Sequence, residues 1–373
     1  MPKDAAASWF FILTLCLLPN LRGQDYFLTP SGEWLGEGTN APAASFLTIP
    51  SDARYAGMAN AAVAIASNAH AMYWNAARMA HLSQKGEINL QYAPYLRAVG
   101  VPGVNYFNLS AVQQTPTYGA WGASLQVFSS GDVAFGIPRP FYSLVNKKAF
   151  AFTLAHALTL SPSLNLGISG KYIQEQVNPS GNESIWVRSA AFDLGLAYQK
   201  VLITNRLTIQ AGMQVANLGP KMRKRYSNEE LAPLPTTLRL GYGLLWNMMD
   251  RLSIHLAQDI QKVMIPEALI DNNRSVLNGI FYSFVDAEGG FSEEITDFTF
   301  STGLEFRYKN QYFIRTGIFY EDPQKGNRTY CTLGSGICIK DISIDWAYLL
   351  PLQENHPMQG TIRLGLAYTW KNE

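Results

Sequence analysis

The most regular feature of this chain is an alternation of apolar and polar side chains with a period of two residues. In the segment 361–370 every second side chain is apolar, and the apolar set is Ile362, Leu364, Leu366, Tyr368 and Trp370. The segments 164–172 and 297–308 follow the same pattern. Since successive residues of a strand point to opposite faces, the pattern predicts strands with one apolar and one polar face. An outer-membrane barrel and a soluble β-sandwich both need such strands, so the alternation alone leaves the two open.

The number and spacing of the predicted strands favour the barrel. We predict fourteen strands, at 86–93, 101–113, 118–130, 148–159, 164–176, 187–199, 207–216, 235–246, 250–260, 297–308, 311–320, 328–339, 342–350 and 360–370. Tight turns such as 309–310 and 340–341 alternate along most of the chain with long connections such as 131–147 and 261–296. This alternation and an even strand number are typical of bacterial outer-membrane barrels. The predicted fold class is an all-β transmembrane barrel of about 14 antiparallel strands, forming a domain at 85–373.

The N-terminus predicts export. Lys3 precedes the apolar stretch 9–18, and Gly23 is a small residue at a plausible cleavage point, so 1–23 is predicted to be a signal peptide. About ten apolar residues are too few to cross a bilayer, and no later stretch approaches the roughly 18 that a transmembrane helix needs. If the protein spans a membrane it must do so with strands, and we expect a multi-pass barrel in the outer membrane.

The segment 24–84 has a different composition from the predicted strands. Between residues 51 and 82 it is rich in alanine, which favours short helices, and Gly57 is an expected interruption. Such a segment either folds into the barrel lumen as a hatch or packs as a helical hairpin on the outside of a soluble domain. Because a barrel is predicted, we favour the hatch.

Charge and motifs exclude several classes of function. The 29 Lys and Arg residues nearly balance the 28 Asp and Glu residues, so no basic surface for nucleic acid is expected. The histidines have no metal-ligand spacing, and no phosphate-binding loop or nucleophile elbow is present. We therefore expect no metal, no cofactor and no catalytic residues, and a protein that is not an enzyme. Glu305 and Asp345, on the predicted lumen face near Arg307 and Arg363, are expected to form ion pairs rather than an acid/base pair.

Several motifs are specific enough to indicate a family. They are FLTIPSDARYAGM at 46–58, YWN at 73–75, GFSEEI at 290–295 and YEDPQKGNRTY at 320–330. Together they resemble the PorV/PorQ family, outer-membrane proteins of the type IX secretion system in Bacteroidota. The resemblance implies a fold similar to the fatty-acid transporter barrels, with an N-terminal helical hatch. It places a set of structural residues in that hatch: Asp52, Arg54, Gly57, Trp74 and Asn75.

The resemblance also implies a function and a set of partners. The expected role is to bind the C-terminal signal domain of secreted cargo and to carry it from the translocon to the attachment complex at the cell surface. The implied partners are the SprA/Sov translocon and the attachment proteins PorU, PorQ and PorZ. The alternative function is transport of hydrophobic small molecules through a gated lumen, which would need an apolar tunnel with a breach in the hatch or the wall.

Two predicted outer loops carry unusual side chains. The connection 261–296 has more apolar side chains than a surface loop needs, among them Ile280, Phe281, Tyr282, Phe284 and Phe291. It either folds back over the barrel mouth or offers a docking surface for a partner, which the family role slightly favours. The basic run at 221–225 either contacts phosphates of outer-membrane lipid or is a solvated loop, and both interpretations stay open.

Cys331 and Cys338 are the only cysteines after the predicted signal peptide. If Gly334 and Ser335 formed a hairpin turn, the two cysteines would face each other and could form a disulfide. If 328–339 is one strand, they lie about 23 Å apart on opposite faces. A hairpin would leave strands of about five residues, too short to cross the membrane, so two free thiols are predicted.

Overall fold

The structure is a computed structural model of the chain. It describes residues 42–50, 52–95, 103–115, 119–135, 143–177, 184–202, 206–223, 231–265, 275–286, 290–323, 325–326, 328–353, 356 and 358–371, and the short strands Phe27–Leu28 and Trp34–Leu35. The predicted signal peptide lies outside these residues, so the boundaries 1–23, 24–84 and 85–373 stay predictions. In the described part of the chain no helix is long and apolar enough to cross a membrane.

Fourteen strands form a closed barrel in which every strand pairs antiparallel with its neighbours in sequence. They are β1 Gly86–Pro94, β2 Asn105–Thr115, β3 Gly119–Phe135, β4 Ser143–Ser161, β5 Leu164–Val177, β6 Ile185–Leu202, β7 Leu207–Leu218, β8 Thr237–Met249, β9 Leu252–Val263, β10 Phe298–Tyr308, β11 Tyr312–Tyr320, β12 Tyr330–Ile339, β13 Ile342–Pro351 and β14 Ile362–Trp370. Pairing between β14 and β1, with Trp370 opposite Gly86, closes the barrel. The predicted fold class is confirmed.

The connections divide the barrel into two different ends. Those at one end have two to four residues, and those at the other have seven or more, up to the connection 264–297 between β9 and β10. Lys309 and Asn310 both have positive φ, which suits the tight hairpin turn between β10 and β11. Short turns face the periplasm and long loops the cell exterior in barrels of this type, so the connection 264–297 is extracellular.

The prediction of a loop at 131–147 is wrong. Most of it is strand, because β3 continues to Phe135 and β4 begins at Ser143. A register shift between Ser129 and Asp132 interrupts the ladder, and pairing then resumes at Asp132 and Asn146. The backbones of β3 and β4 therefore continue to pair above the membrane. The alternation of side chains did not predict this extension.

The apolar face of each strand points outward and the polar face inward. On β14 the outward residues Ile362, Leu364 and Leu366 are 42–49% exposed, whereas Arg363 between them is completely buried. A soluble sandwich would bury the apolar face, so this burial pattern supports the membrane barrel.

The lumen is occupied by residues 42–82, which we call the hatch. It contains two short helices, α1 Ala53–Ala56 and α2 Ala71–Trp74, and two 3₁₀ turns, Ser45–Thr48 and Ala76–His81. Nearly all hatch side chains are buried. Inward glycines of the wall allow the hatch backbone to approach closely: a Cβ at Gly167 would lie 2.1 Å from Ala77 N, and one at Gly212 would lie 2.3 Å from the Val63 carbonyl oxygen. The expectation of a helical hatch in the lumen is confirmed.

The two cysteines lie on one continuous strand. In β12, Cys331 pairs across to Leu350 and Cys338 to Ser343, with no turn at Gly334. Both thiols are free. The hairpin interpretation is therefore wrong, and the continuous strand is confirmed.

Candidate functional site

The first candidate site is the contact between hatch and wall, and it begins at Asp52. This carboxylate is fully buried, and its Oδ1 accepts hydrogen bonds from Arg54 N at 2.8 Å and Tyr55 N at 3.3 Å. It thereby caps α1, since the first backbone N–H groups of a helix have no partner within it. Oδ2 accepts a further bond from the side chain of Asn68 at 2.9 Å. Asp52 therefore connects the start of the hatch to its middle.

A buried ion-pair network ties Arg54 to the wall. Glu305 on β10 is fully buried and contacts three guanidinium groups: Arg54 at 3.3 Å, Arg315 on β11 at 2.6 Å, and its own strand neighbour Arg307. Arg315 also reaches Asp345 on β13 at 2.6 Å. The predicted lumen ion pairs are confirmed for Glu305 and Asp345, although the partner of Asp345 is Arg315.

Arg363, which the sequence placed beside Asp345, binds elsewhere. Its guanidinium donates to the side-chain oxygen of Asn60 at 3.2 Å and to the Tyr95 hydroxyl at 2.8 Å. Asn60 in turn donates to the Tyr330 hydroxyl at 2.8 Å. A third part of the hatch is thereby fixed to β12 and β14.

Gly57 lies at another close contact between the hatch and the wall. A Cβ at this position would lie 3.1 Å from the Cα of Gly334 on β12, so glycine on both sides permits contact between the backbones. Thr332, two residues before Gly334, donates its hydroxyl to the Gly57 carbonyl at 3.0 Å and accepts from Ala59 N at 3.1 Å.

Trp74 and Asn75 hold the second half of the hatch. Trp74 is buried and packs edge to face against Tyr73, with ring centroids 4.9 Å apart, while Arg239 of β8 lies over both rings. Asn75 caps the following 3₁₀ turn by accepting from Ala77 N at 3.1 Å. Its amide donates to the Leu196 carbonyl of β6 at 2.8 Å. All five predicted hatch residues thus make structural contacts in the lumen.

Three wall residues that the sequence did not single out also bind the hatch backbone. Asp259 on β9 accepts from Ala62 N at 2.6 Å and from Val63 N at 2.9 Å. On β1, Gln91 accepts from Ala53 N at 2.9 Å and Glu87 accepts from Ala69 N at 3.1 Å. The available signal was a polar side chain at an inward position, which does not distinguish a solvated lumen residue from one that binds the hatch.

Two titratable groups of the hatch have shifted pKa values. Burial lowers the pKa of Arg78 to about 10, although the guanidinium donates to the Ala66 carbonyl and to Gln199. Burial, with a smaller effect of the Arg78 charge, lowers the pKa of His81 to about 3. The His81 ring lies 2.9 Å from the side-chain nitrogen of Asn165 on β5. Burial at the C-terminal end of the hatch therefore favours the uncharged form of His81.

The second candidate site is the extracellular connection between β9 and β10. It contains the helix α3 Val276–Tyr282, which Ser275 caps by accepting from Asn278 N at 3.3 Å. Three apolar side chains follow at intervals of four residues and are strongly exposed: Leu277 at 64%, Phe281 at 74% and Val285 at 73%. We call these three residues the outer apolar stripe.

The predicted docking residues differ in their exposure to solvent. Phe281 and Tyr282 are exposed, Ile280 and Phe284 are half-buried, and the side chain of Phe291 lies outside the described residues. Leu277 and Val285 were not among the predicted docking residues, and their exposure in the structure identifies them.

Lys262 fixes the base of this connection to the barrel. It is buried, lies on β9 opposite Phe298, and its ammonium contacts Glu294 and, at 2.7 Å, Asp297. The same ammonium lies 5.4 Å from the Phe284 ring centroid. The connection therefore has an anchored base and an exposed apolar helix. Of the basic run 221–225, the residues 224 and 225 lie outside the described residues.

The sequence from the hatch to β9 matches that of one protein family. The family model "Type IX secretion system protein PorV" matches residues 37–270, which is more than half of the chain and includes the hatch and β1 to β9. The chain belongs to the PorV family. It is therefore a type IX secretion system component, and its barrel lies in the outer membrane. A search of curated proteins found no match to the chain.

Solved structures of hydrocarbon channels share the fold of this PorV-family chain. The CymD monoaromatic hydrocarbon channel is 10% identical, with 89% of this chain and 100% of that chain covered and a TM-score of 0.51. A TodX channel mutant lacking S2 and S3 is 12% identical, with 86% and 98% covered and a TM-score of 0.54. A Pseudomonas aeruginosa FadL homologue is 13% identical, with 86% and 99% covered and a TM-score of 0.45. At these identities the likeness concerns the fold alone, and it rests on the first two structures.

Within the described residues, no group of three or more His, Cys, Asp or Glu side chains is arranged to hold a metal ion. The family and the fold indicate a secretion or transport component.

Proposed function

We propose that this protein binds the C-terminal signal domain of secreted cargo through the outer apolar stripe and carries it from the translocon to the attachment complex. The SprA/Sov translocon would deliver the cargo, and the PorU, PorQ and PorZ proteins would receive it. Membership of the PorV family and the two candidate sites together support this proposal of cargo and route.

The exposed helix is the observation that carries the proposal. Leu277, Phe281 and Val285 together present an apolar surface to water, at a position where the base of the connection is anchored by Lys262. Exposed apolar patches on an otherwise polar rim mark protein-binding sites. An anchored base also reduces the conformational entropy that binding would otherwise cost.

The hatch supports the same conclusion from the inside of the barrel. The side chains of Glu305, Asp259 and Thr332, from three separate strands, bind the hatch at Arg54, Ala62 and Ala59. Passage of a small molecule through the lumen would require many of these contacts to break together. Binding of cargo at the outer surface requires none of these contacts between hatch and wall to break.

The test compares two variants of the purified barrel in binding a cargo C-terminal signal domain. Phe281→Ser removes the centre of the stripe, and it should weaken binding by more than about tenfold, as expected for a central aromatic contact. Leu231→Ser is the matched control, since Leu231 is a 48%-exposed apolar residue at another extracellular connection.

Equal binding by Phe281→Ser and the unmodified protein would refute the stripe as the cargo site. Cells carrying Phe281→Ser should retain cargo in the periplasm, and this second readout distinguishes a secretion defect from a binding artefact. Uptake of a hydrophobic dye into vesicles containing the unmodified protein would instead support the transport alternative.

A further inference from the structure

The periplasmic end of the barrel carries more basic than acidic side chains. Seven exposed bases lie within two residues of a strand end on this side: Lys85, Lys200, Arg206, Arg251, Lys309, Lys340 and Lys371. We call these seven residues the periplasmic basic rim. The acidic residues in the short turns are Asp250 and Asp341, and Glu373 lies outside the described residues. Because the whole chain has a formal net charge of only +1, positive charge is concentrated at this end.

The chain does not neutralise the charges of the rim. Among the residues that the structure describes, none of the seven bases forms an ion pair with a carboxylate. Bases elsewhere are paired within the chain: Lys171 in the lumen lies 2.8 Å from Asp193, and Lys325 at the extracellular end lies 2.9 Å from Asp297. The rim therefore presents its positive charge to whatever surrounds the periplasmic end of the barrel.

Lys200 shows that the rim reaches the lipid-facing surface. It lies on the same face of β6 as Leu194 and Leu196, which are 43% and 41% exposed and point to lipid. It is also two residues from Leu202, where the strand ends on the periplasmic side. A lysine at such an edge lays its apolar stem along the wall and places its ammonium among the lipid headgroups.

Lys309 occupies the same level in the turn between β10 and β11. Tyr308 and Tyr312 flank this turn, pair directly with each other, and are 46% and 52% exposed. The Lys309 ammonium lies 5.4 Å from the centroid of the Tyr308 ring, so it is held beside an outward aromatic side chain. Aromatic side chains at strand ends form the girdles that mark the interface of the membrane. This cation therefore also lies at headgroup level.

The rim is an arc and not a complete ring. Its bases belong to five consecutive junctions between strands, from the turn between β6 and β7 round to the meeting of β14 and β1. The two remaining periplasmic turns, 116–118 and 162–163, contain neither acidic nor basic residues. The positive charge is therefore confined to one part of the periplasmic edge.

We infer that the periplasmic basic rim binds anionic phospholipids of the inner leaflet in preference to zwitterionic ones. Lipid headgroups surround the outward face of a membrane barrel at this level, so the fold determines the occupant. The charge of the rim then selects among headgroups, because Lys and Arg bind phosphate by charge-assisted hydrogen bonds and a zwitterionic lipid adds an ammonium that opposes this attraction. An acidic periplasmic protein is disfavoured, since Lys200 lies on the lipid-facing side of its strand. The inference goes beyond the cargo role and does not depend on it.

The experiment measures lipid preference directly. The mature protein is refolded into phosphatidylcholine vesicles that contain a minor fraction of spin-labelled phosphatidylglycerol or, in parallel, spin-labelled phosphatidylcholine. The immobilised fraction of each probe reports its association with the barrel. Since one basic contact favours an anionic headgroup by about fivefold, we expect phosphatidylglycerol to associate about twofold or more better when averaged over the whole perimeter. High salt should reduce this preference, because it screens exposed charges.

A triple variant tests whether the rim is responsible for the preference. It combines Lys200→Gln, Arg251→Gln and Lys309→Asn, and asparagine suits the positive φ at position 309. We expect it to lose about half of the preference or more, because three of the seven rim charges are removed. The charge-conserving triple variant Lys200→Arg, Arg251→Lys, Lys309→Arg should retain the preference.

The matched control removes three exposed bases at the extracellular end. It combines Lys148→Gln, Arg188→Gln and Arg223→Gln, and it should leave the preference unchanged in its extent and salt dependence. Gel mobility of unheated samples shows that each variant compared is folded. The salt dependence of the unmodified protein needs no variant, so the inference stays testable if a triple variant fails to fold.

Four results would overturn the inference. They are equal association of the two probes, a preference that high salt does not reduce, a preference unchanged in the rim variant, and an equal loss in the extracellular variant, which would assign the effect to total charge. A photo-crosslinking residue at Asn310, beside Lys309, tests the protein alternative in native outer membranes. We expect no protein adduct there, and an adduct with an acidic periplasmic protein that the rim variant abolishes would assign the rim to that protein.

Discussion

Glu305 is the single side chain whose loss should most weaken the attachment of the hatch. It is fully buried and contacts Arg54 of the hatch together with Arg307 and Arg315 of the wall. Glu305→Gln retains the shape and removes the negative charge. Of the three guanidinium groups, only Arg315 would keep a carboxylate partner, at Asp345.

The expected cost follows from the burial of these charges. Removing one partner of a buried ion pair leaves an uncompensated charge and typically costs about 3 to 5 kcal/mol of the free energy of unfolding. Since Arg54 is partly exposed, with 17% of its side chain accessible, we expect the lower part of this range, about 3 kcal/mol. Asp345→Asn is the matched variant, and it should cost clearly less because Arg315 keeps Glu305.

The assay is urea unfolding of the refolded barrel in detergent micelles, with the folded fraction read from gel mobility of unheated samples. Adding Arg54→Met to Glu305→Gln should recover part of the lost stability, because one unpaired charge is then removed. If Glu305→Gln lowers the free energy of unfolding by less than about 1 kcal/mol, as a surface ion pair would, the network does not hold the hatch.

Three further predictions concern the hatch and the thiols. Burial lowers the pKa of His81 to about 3, so the folded state resists protonation of this side chain. The free energy of unfolding should therefore fall as the pH drops below about 6.5, where the unfolded chain takes up the proton. Urea titrations at pH 7 and pH 4 should show a smaller fall for His81→Gln than for the unmodified protein. Gly167→Val would place a Cβ 2.1 Å from the Ala77 nitrogen, so it should displace the lower hatch and increase its cleavage by protease; unchanged cleavage would contradict the close packing. Thiol labelling of denatured, unreduced mature protein should count two reactive cysteines, Cys331 and Cys338, and a count of zero that reaches two only after reduction would indicate a disulfide.

Several features of the fold were determined locally by the sequence. Alternation with a period of two identified all fourteen strands, because in a membrane barrel lipid and lumen impose opposite polarity on successive residues. The same alternation placed Glu305 and Asp345 in the lumen, and the length of the strand 328–339 predicted separate cysteines. Turn length indicated which end faces the cell exterior.

The sequence could not determine which of the polar lumen residues would meet the hatch. Asp259 and Ala62 are far apart in the chain, and they come together only because closure of the barrel brings β9 against the hatch loop. The partner of Arg363 was Asn60 rather than Asp345 for the same reason, since the choice depends on which inward positions the hatch leaves free.

The extracellular connection shows the same division between what the sequence determines and what the fold decides. The apolar composition of the connection 264–297 is visible in the sequence. That Leu277, Phe281 and Val285 are the exposed side chains depends on how the connection packs at the rim, where Lys262 holds its base. Periodicity within a segment assigns each side chain to a face, whereas neighbours across the sheet and contacts with the hatch depend on barrel closure, which no local pattern encodes.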